Sequence, residues 1–415
     1  MPLSIFALMF TCFVDVMGQG LAFPIFAALL IQPNGGFIQG TNAPSNGAIL
    51  YGIAIGTFFL TWFFGSLYIS KLSDSIGRKS GILICLFGAI AGYAIATAGI
   101  ISRNYALLVI SRAITGFTAG AQPIAAAAMI DLAKNERESA RNLGLVTVGM
   151  SFGLVIGPII GGLFSDKNLL GNFASPQLPF VMGGLLCLAG LLLVFFGFKD
   201  IKRESIPMDI NPFLVFKLLT DALNRQSIQR VATAYFPYML CILGLYVFVS
   251  ANLSTRFGYG AIGSSVAMFL MGIGLAASSS VLVELINVRF SKRTIMFSCT
   301  ALFCICIAIF LLITSGPLAL AIMLPVGILH GIGYPTVLTG FSESVDKDEQ
   351  GWGMGFATSL FTIGAALVSF FGGQLIASVG PQAPFFFAIA CGGIAMVAVL
   401  MQWKDVPALS NDAMT

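Results

Sequence analysis

Twelve apolar stretches of about twenty or more residues, separated mostly by short polar loops, dominate this sequence. A helix of about 20 residues is about 30 Å long, the thickness of a bilayer's hydrocarbon core. The stretches run roughly over 4–30, 48–69, 80–102, 105–132, 142–164, 178–198, 230–254, 262–288, 294–315, 317–342, 352–378 and 382–403. Only 9% of the 415 residues are charged, against roughly 25% in soluble domains, so the chain cannot clothe itself against water. The reading is an all-α integral membrane protein of twelve transmembrane helices, with the lipid bilayer as its surroundings. A net charge of +4 carried in short loops is no nucleic-acid signal, and no nucleic-acid partner is expected. The eight cysteines all fall in apolar stretches, so neither disulfides nor a Cys/His metal site are expected. Met1 to Ser4 carry no basic residue, so the first stretch reads as a retained span.

Orientation follows from the basic residues. With the N-terminus inside, 17 of the 21 Lys and Arg fall on the inner side. That bias predicts both termini in the cytoplasm. The largest outer loop, Gln32 to Gly47, is rich in Gly, Asn and Pro and reads as irregular. Inside, 199–229 divides the chain, which predicts a six-helix bundle over 1–198, a linker over 199–229, a second bundle over 230–405 and a tail over 406–415. Within the linker, Phe213, Phe216, Leu219, Ala222 and Leu223 at helical spacing predict an amphipathic helix on the membrane face.

The halves echo one another. Lys79 returns as Arg293, 214 positions on; Pro123 and Asp131 return as Pro335 and Glu343, 212 on; Gly153 and Gly161-Gly162 return as Gly364 and Gly372-Gly373, 211 on. A six-plus-six parallel repeat is how transporters build two bundles that rock about a mid-membrane site. Between the second and third stretches, Ser70 to Lys79 makes a tight inner loop, where Asp74 can cap the next helix or pair with Arg78 and Gly77 can turn the chain.

Three motifs then give a resemblance. Ser70 to Lys79 matches the loop motif G-x-L-a-D-r-x-G-r-k at Leu72, Asp74, Gly77, Arg78 and Lys79, with Ser70 replacing the first glycine. Arg112 to Gly120 resembles the fourth-span motif, and Gly149, Gly153, Gly157-Pro158 and Gly161-Gly162 resemble the fifth-span antiporter motif. The chain therefore resembles the drug:proton antiporter branch of the major facilitator superfamily, and tetracycline antiporters within it. That resemblance implies a latch of Asp74, Arg78 and Asp131 holding the outward-facing state, and an antiporter hinge at Gly149, Gly153, Gly157, Pro158 and Gly161. The glycines recur every four residues, so they line one stripe that permits close packing, and Pro158 adds a kink.

Proton coupling is sought in buried charge. Asp15 lies near the middle of the first span, where desolvation makes a carboxyl a candidate to bind and release a proton; the alternative is a plain ion pair with Arg112. Arg112 lies inside the fourth span, where an unpaired cation costs about 2.5–3.5 kcal/mol or more, so it either snorkels or tunes a proton carrier. Glu284, near the inner end of the eighth span, and His330, before Gly331, Gly333 and Pro335 in a tenth span expected to be broken there, complete the proton candidates. Gln19, Gln122, Asn252 and Gln374 are candidates to line a polar cavity. Relatives resembling this chain carry further acids where Gly92-Tyr93 and Ala301-Leu302 stand, so tetracycline itself is not the expected cargo. The expected function is a proton-coupled exporter of a small amphipathic molecule in the inner membrane, of the multidrug-efflux kind. The alternative is proton-driven transport of an anionic metabolite or polycarboxylate siderophore. No cofactor or metal is expected, no enzyme motif such as His-Glu-x-x-His is present, and one chain supplies both bundles, so a monomer is expected.

Overall fold

The computed structural model describes residues 2–32, 37, 43–200, 220–221, 224–346 and 350–403. The expected amphipathic helix at 211–225 lies almost wholly outside the described residues, as does the tail at 406–415. The first half holds α1 (Leu3–Leu30), α2 (Ala43–Ile76), α3 (Arg78–Ile101), α4 (Tyr105–Phe117), α5 (Ala121–Asp131), α6 (Glu136–Ser165) and α7 (Leu178–Gly197). The second holds α8 (Gln226–Phe257), α9 (Ala261–Ala277), α10 (Val283–Arg289), α11 (Lys292–Leu312), α12 (Gly316–Ala321), α13 (Met323–Glu343), α14 (Gln350–Ser378) and α15 (Ala383–Gln402).

Among the described residues, eleven spans are long and apolar enough to cross a membrane. The twelfth, α9, has only 17 residues, but a π-helical turn at Ser278–Leu282 carries it on into α10. Bilayer lipid offers no hydrogen bonds, so helices that satisfy their own backbone are the only economical way to cross. The fold is an all-helical membrane bundle in two six-span halves. The same pairings recur in each: first span with fifth and sixth, second with fourth, third with fourth and sixth. Across the halves, α2 packs on α14 and α6 on α9. These are second with eleventh and fifth with eighth, the exchange a two-fold repeat demands.

Three features differ from expectation: Ser70 to Lys79, expected to be a loop, is helical but for Gly77, because α2 runs on to Ile76 and α3 starts at Arg78, and two spans differ at their prolines. The fourth, expected to be one helix over 105–132, is broken at Thr118 to Gly120, so that α5 begins afresh at Ala121. Pro123 explains the position: it has no N–H for the Ala119 carbonyl four residues back, and its ring clashes there. Pro123 is harmless in the first turn of α5, where that N–H has no partner anyway. The tenth span, expected to break near His330, instead keeps α13 helical through Pro335.

The glycine stripe of α6 lies along the backbone of α1 in a constant register. A Cβ on Gly149, Gly153 or Gly157 would stand 2.4, 2.4 and 2.5 Å from the carbonyl oxygens of Met9, Phe13 and Met17, and one on Gly161 would stand 3.1 Å from that of Leu21. Those four glycines therefore dock within their own half. Gly162 is the one that turns to the other half, where its Cβ would meet Ile262 Cα at 2.9 Å on α9. The seam between α2 and α14 is equally close, with a Cβ on Gly52 only 2.4 Å from Ser369 O. Tyr51 Oη donates to Val247 O at 2.7 Å, and the Phe23 and Tyr246 rings meet edge-on at 5.2 Å. Phe23, Gly162 and Tyr246 lie toward the C-terminal ends of their helices and Tyr51 and Ile262 toward the N-terminal ends of theirs. Successive spans alternate in direction, so these contacts gather near one end of the bundle.

Gly153→Val should lower the melting temperature in detergent by overpacking α1 against α6, at a cost of about 1–3 kcal/mol or more. Gly144→Ala on the same helix, where no atom lies within 4 Å of a new Cβ, should leave it unchanged.

Candidate functional site

The break in the fourth span makes a helix N-terminus inside the first half, and a carboxylate faces it. Gly120, the residue that caps α5, has no side chain to offer the first-turn amides. Asp15 of α1 supplies the missing acceptor: Gln122 N–H donates to Asp15 Oδ2 at 3.2 Å. The positive end of the α5 dipole favours the ionised acid there. Of the candidate Gln122, it is the backbone rather than the side chain that reaches Asp15 in this structure.

Asp15 lines a small cavity of about 20 Å³, room for one water molecule. The wall also includes Arg112, Tyr93, Phe58, Thr118 and Cys187. All these residues belong to the first half, so the cavity is internal to one bundle and too small to hold a drug-sized molecule. Arg112 is 3% exposed and does not snorkel. Its guanidinium stacks 4.2 Å from the centre of the Phe58 ring and 5.8 Å from that of Phe26. Such contacts return about 2 kcal/mol when desolvated, part of the cost of burying the cation. Its Nε is buried with no hydrogen-bond partner, and among the described residues it enters no ion pair. Asp15 and Arg112 therefore share a cavity without forming a salt bridge.

The Tyr93 hydroxyl lies where a Gly18 Cβ would be, at 2.1 Å. Leu302 in the ninth span is 49% exposed on the outside of the bundle. The other candidates do not join this cavity. Gln19 is partly buried but outside its wall. Glu284 is exposed on α10, and Gln374 is exposed on α14. Asn252 is buried and used structurally, donating to Pro381 O at 3.1 Å and accepting from Arg256 at 3.5 Å. His330, in the second half, keeps a buried Nδ1 without a partner, beside the Tyr334 ring at 5.4 Å. Among the described residues, no group of three or more His, Cys, Asp or Glu is placed to hold a metal.

At the other end of the first half, Arg78 pairs with Asp74 at 2.6 Å and approaches Asp131 at 3.8 Å. Gly77 makes the intervening turn at φ 99°, a conformation L side chains rarely adopt. The second half repeats the arrangement with Lys292 and Glu343. Lys79 Nζ donates to Phe195 O at the end of α7, and Arg293 donates to Leu400 O at the end of α15. In each half a cation thus binds the last carbonyls of the sixth span, where the helix dipole favours it. The cavity's aromatic and thiol walls could not be read from the residues alone, because helix rotation is not visible in an apolar stretch. A signal for the amide at Gln122 was present: Pro123 following Gly116 and Gly120.

Gly18→Ala should drive the Tyr93 hydroxyl from its place and destabilise the protein by about 1–3 kcal/mol. Adding Tyr93→Phe should restore most of the melting temperature, because the next atom, Cζ, is 3.4 Å from the new methyl, an ordinary contact.

The chain matches the Major Facilitator Superfamily profile over residues 8–369 and 289–414. It is 27% identical over 359 residues to the class C tetracycline resistance protein of Escherichia coli, covering 85% of this chain and 84% of that one. It is 22% identical over 405 residues to the quinolone resistance protein NorA of Staphylococcus aureus, covering 96% of each. The crystal structure of the human organic anion transporter MFSD10 superposes with a TM-score of 0.68 at 18% identity, over 96% of this chain and 98% of that one, a likeness of fold. The family match spans nearly the whole chain, its relatives include tetracycline and quinolone resistance proteins, and the twelve spans pair as a repeat of two halves: the protein is a multi-pass membrane transporter of the Major Facilitator Superfamily.

Proposed function

We propose that this transporter is proton-coupled and exports a small amphipathic molecule across the bacterial inner membrane by alternating access, with Asp15 as the group that takes up and returns the proton. The observation that carries this is the hydrogen bond from Gln122 N–H to Asp15 in a cavity walled off within the first bundle. Ionised, Asp15 holds the N-terminus of α5; protonated, it loses the charge that made it the better acceptor there. The charge on one oxygen thus biases how α1 sits against a broken span. Through the glycine register, α1 is joined to α6, and α6 meets α9 of the other half at Gly162. A proton can in this way shift the balance between two arrangements of the halves.

Export is supported by the relatives named for tetracycline and quinolone resistance. With the termini in the cytoplasm, as the Lys and Arg bias favours, the contacts between halves at Gly52, Tyr51 and Gly162 would lie toward the outer side. Asp74, Arg78 and Asp131 would then act on the balance between states rather than on the cargo, and Lys292 with Glu343 would be their counterpart in the second half. His330, Glu284, Gln19, Asn252 and Gln374 have weaker support as coupling or cavity residues, because none lines the Asp15 cavity. A second reading, transport of an anion, is favoured by one observation: Arg112 is buried without a carboxylate partner.

In inverted vesicles with an imposed pH gradient, Asp15→Asn should abolish proton-driven accumulation of a transported dye while leaving energy-independent counterflow. Full-rate accumulation with an unchanged pH response in that variant would remove Asp15 from the mechanism.

A further inference from the structure

The cavity beneath the break between α4 and α5 contains one permanent cation. An arginine does not give up its proton in a protein, so Arg112 stays charged whatever happens to Asp15. While Asp15 is ionised, the cavity as a whole is neutral. Once Asp15 is protonated, a bare guanidinium remains inside the hydrocarbon zone, stacked on Phe58 with its Nε unpartnered. At the same moment the Gln122 amide loses its anionic acceptor. Arg112 lines the cavity together with Ala121 at the start of α5, so a fixed cation and the positive end of that helix both call for negative charge there.

We propose that this cavity is a binding site for a compact monovalent anion, held by the Arg112 guanidinium at the positive end of α5 whenever Asp15 is protonated. The volume sets the class of ligand. About 20 Å³ bounded by Phe58, Tyr93, Cys85 and Cys187 admits a particle of the size of water, which suits chloride or the head of a small carboxylate and excludes bulkier anions. Other titratable groups around Asp15 and Arg112 are Cys12 on α1, Tyr51 on α2, Cys85 and Tyr93 on α3, and Cys187 on α7. Thiols and phenols are uncharged near neutral pH. The face of α6 on α1 is its glycine stripe. Asp15 is therefore the group whose charge changes, and its carboxylate and the external anion are alternative ways of balancing the Arg112 charge in the same small cavity. Proton binding and anion binding strengthen each other, and reciprocally so. This rests on the proposed role of Asp15 as the proton carrier.

Chloride binding to the purified full-length protein in detergent, followed by chlorine NMR line broadening, tests it, with gluconate as the bulky control. For the native chain, affinity should fall about tenfold per pH unit above the titration of Asp15. Each chloride bound there should draw a proton from weakly buffered solution. Asp15→Asn should bind chloride without pH dependence and without proton uptake, whereas Arg112→Gln should lose binding at least tenfold. Arg112→Lys, which keeps the charge, should bind more weakly than the native chain but more tightly than Arg112→Gln, showing that the loss there is one of charge and not of folding. Formate should displace chloride. Binding by the native chain that ignores pH, gluconate as effective as chloride, or an Asp15→Asn protein with native melting but no chloride binding would each overturn the proposal. The two readings fail separately. Retained proton-driven transport in Asp15→Asn sinks the carrier, while lost transport with no chloride binding sinks the anion site alone.

Discussion

A backbone amide inside a bilayer must find an acceptor, and in this transporter one amide finds a side-chain carboxylate. The fourth span is interrupted by Pro123, and the interruption leaves the first-turn amides of α5 without helical partners. Asp15 meets one of them from α1. The arrangement satisfies two demands together: a broken helix needs an acceptor, and a buried carboxylate needs a donor. The position of one depends on the other, which is why the break, the acid and the cavity fall at the same depth.

The placement of Asp15 is in turn governed by how closely α1 can lie against α6. Glycine at every fourth position lets backbone touch backbone, and a methyl group at three of these positions would strike a carbonyl oxygen of α1. Close helix contact of this kind is the main source of association in lipid, where hydrophobic burial offers little. The antiporter motif of the fifth span thus serves first as a rail for the helix that carries the acid. Only Gly162, at its end, reaches the opposing half. Shear along such a rail would move Asp15 relative to Gln122 without opening the core of either bundle.

Arg112 carries the main electrostatic cost of the site. It is buried among aromatic rings and does not pair with Asp15, although both line the same small space. Among the described residues, charge pairs lie at the ends of the helices, where Arg78 with Asp74 and Lys292 with Glu343 repeat across the halves. The exposed Lys292–Glu343 pair contributes about 0–1 kcal/mol, enough to bias two states that are nearly balanced and too little to hold the fold together, whereas Arg78 is half-buried.

Much of this molecule was legible before any coordinates. Stretches of about twenty apolar residues determined that the chain spans a bilayer, and the offsets linking Pro123 to Pro335 and Asp131 to Glu343 determined that it does so as two related halves. Asp15 and Arg112 stood out because charge inside an apolar run is costly and seldom without function. The tertiary structure decided the rest. It broke the fourth span just before Pro123 yet kept the tenth helical through the matching Pro335, and it put Gln374 and Glu284 on the surface and tied Asn252 into a structural network. An all-apolar helix has no polar face to report its rotation, so which side chains meet inside a membrane bundle is settled by packing against neighbours, and that information is spread over several spans at once.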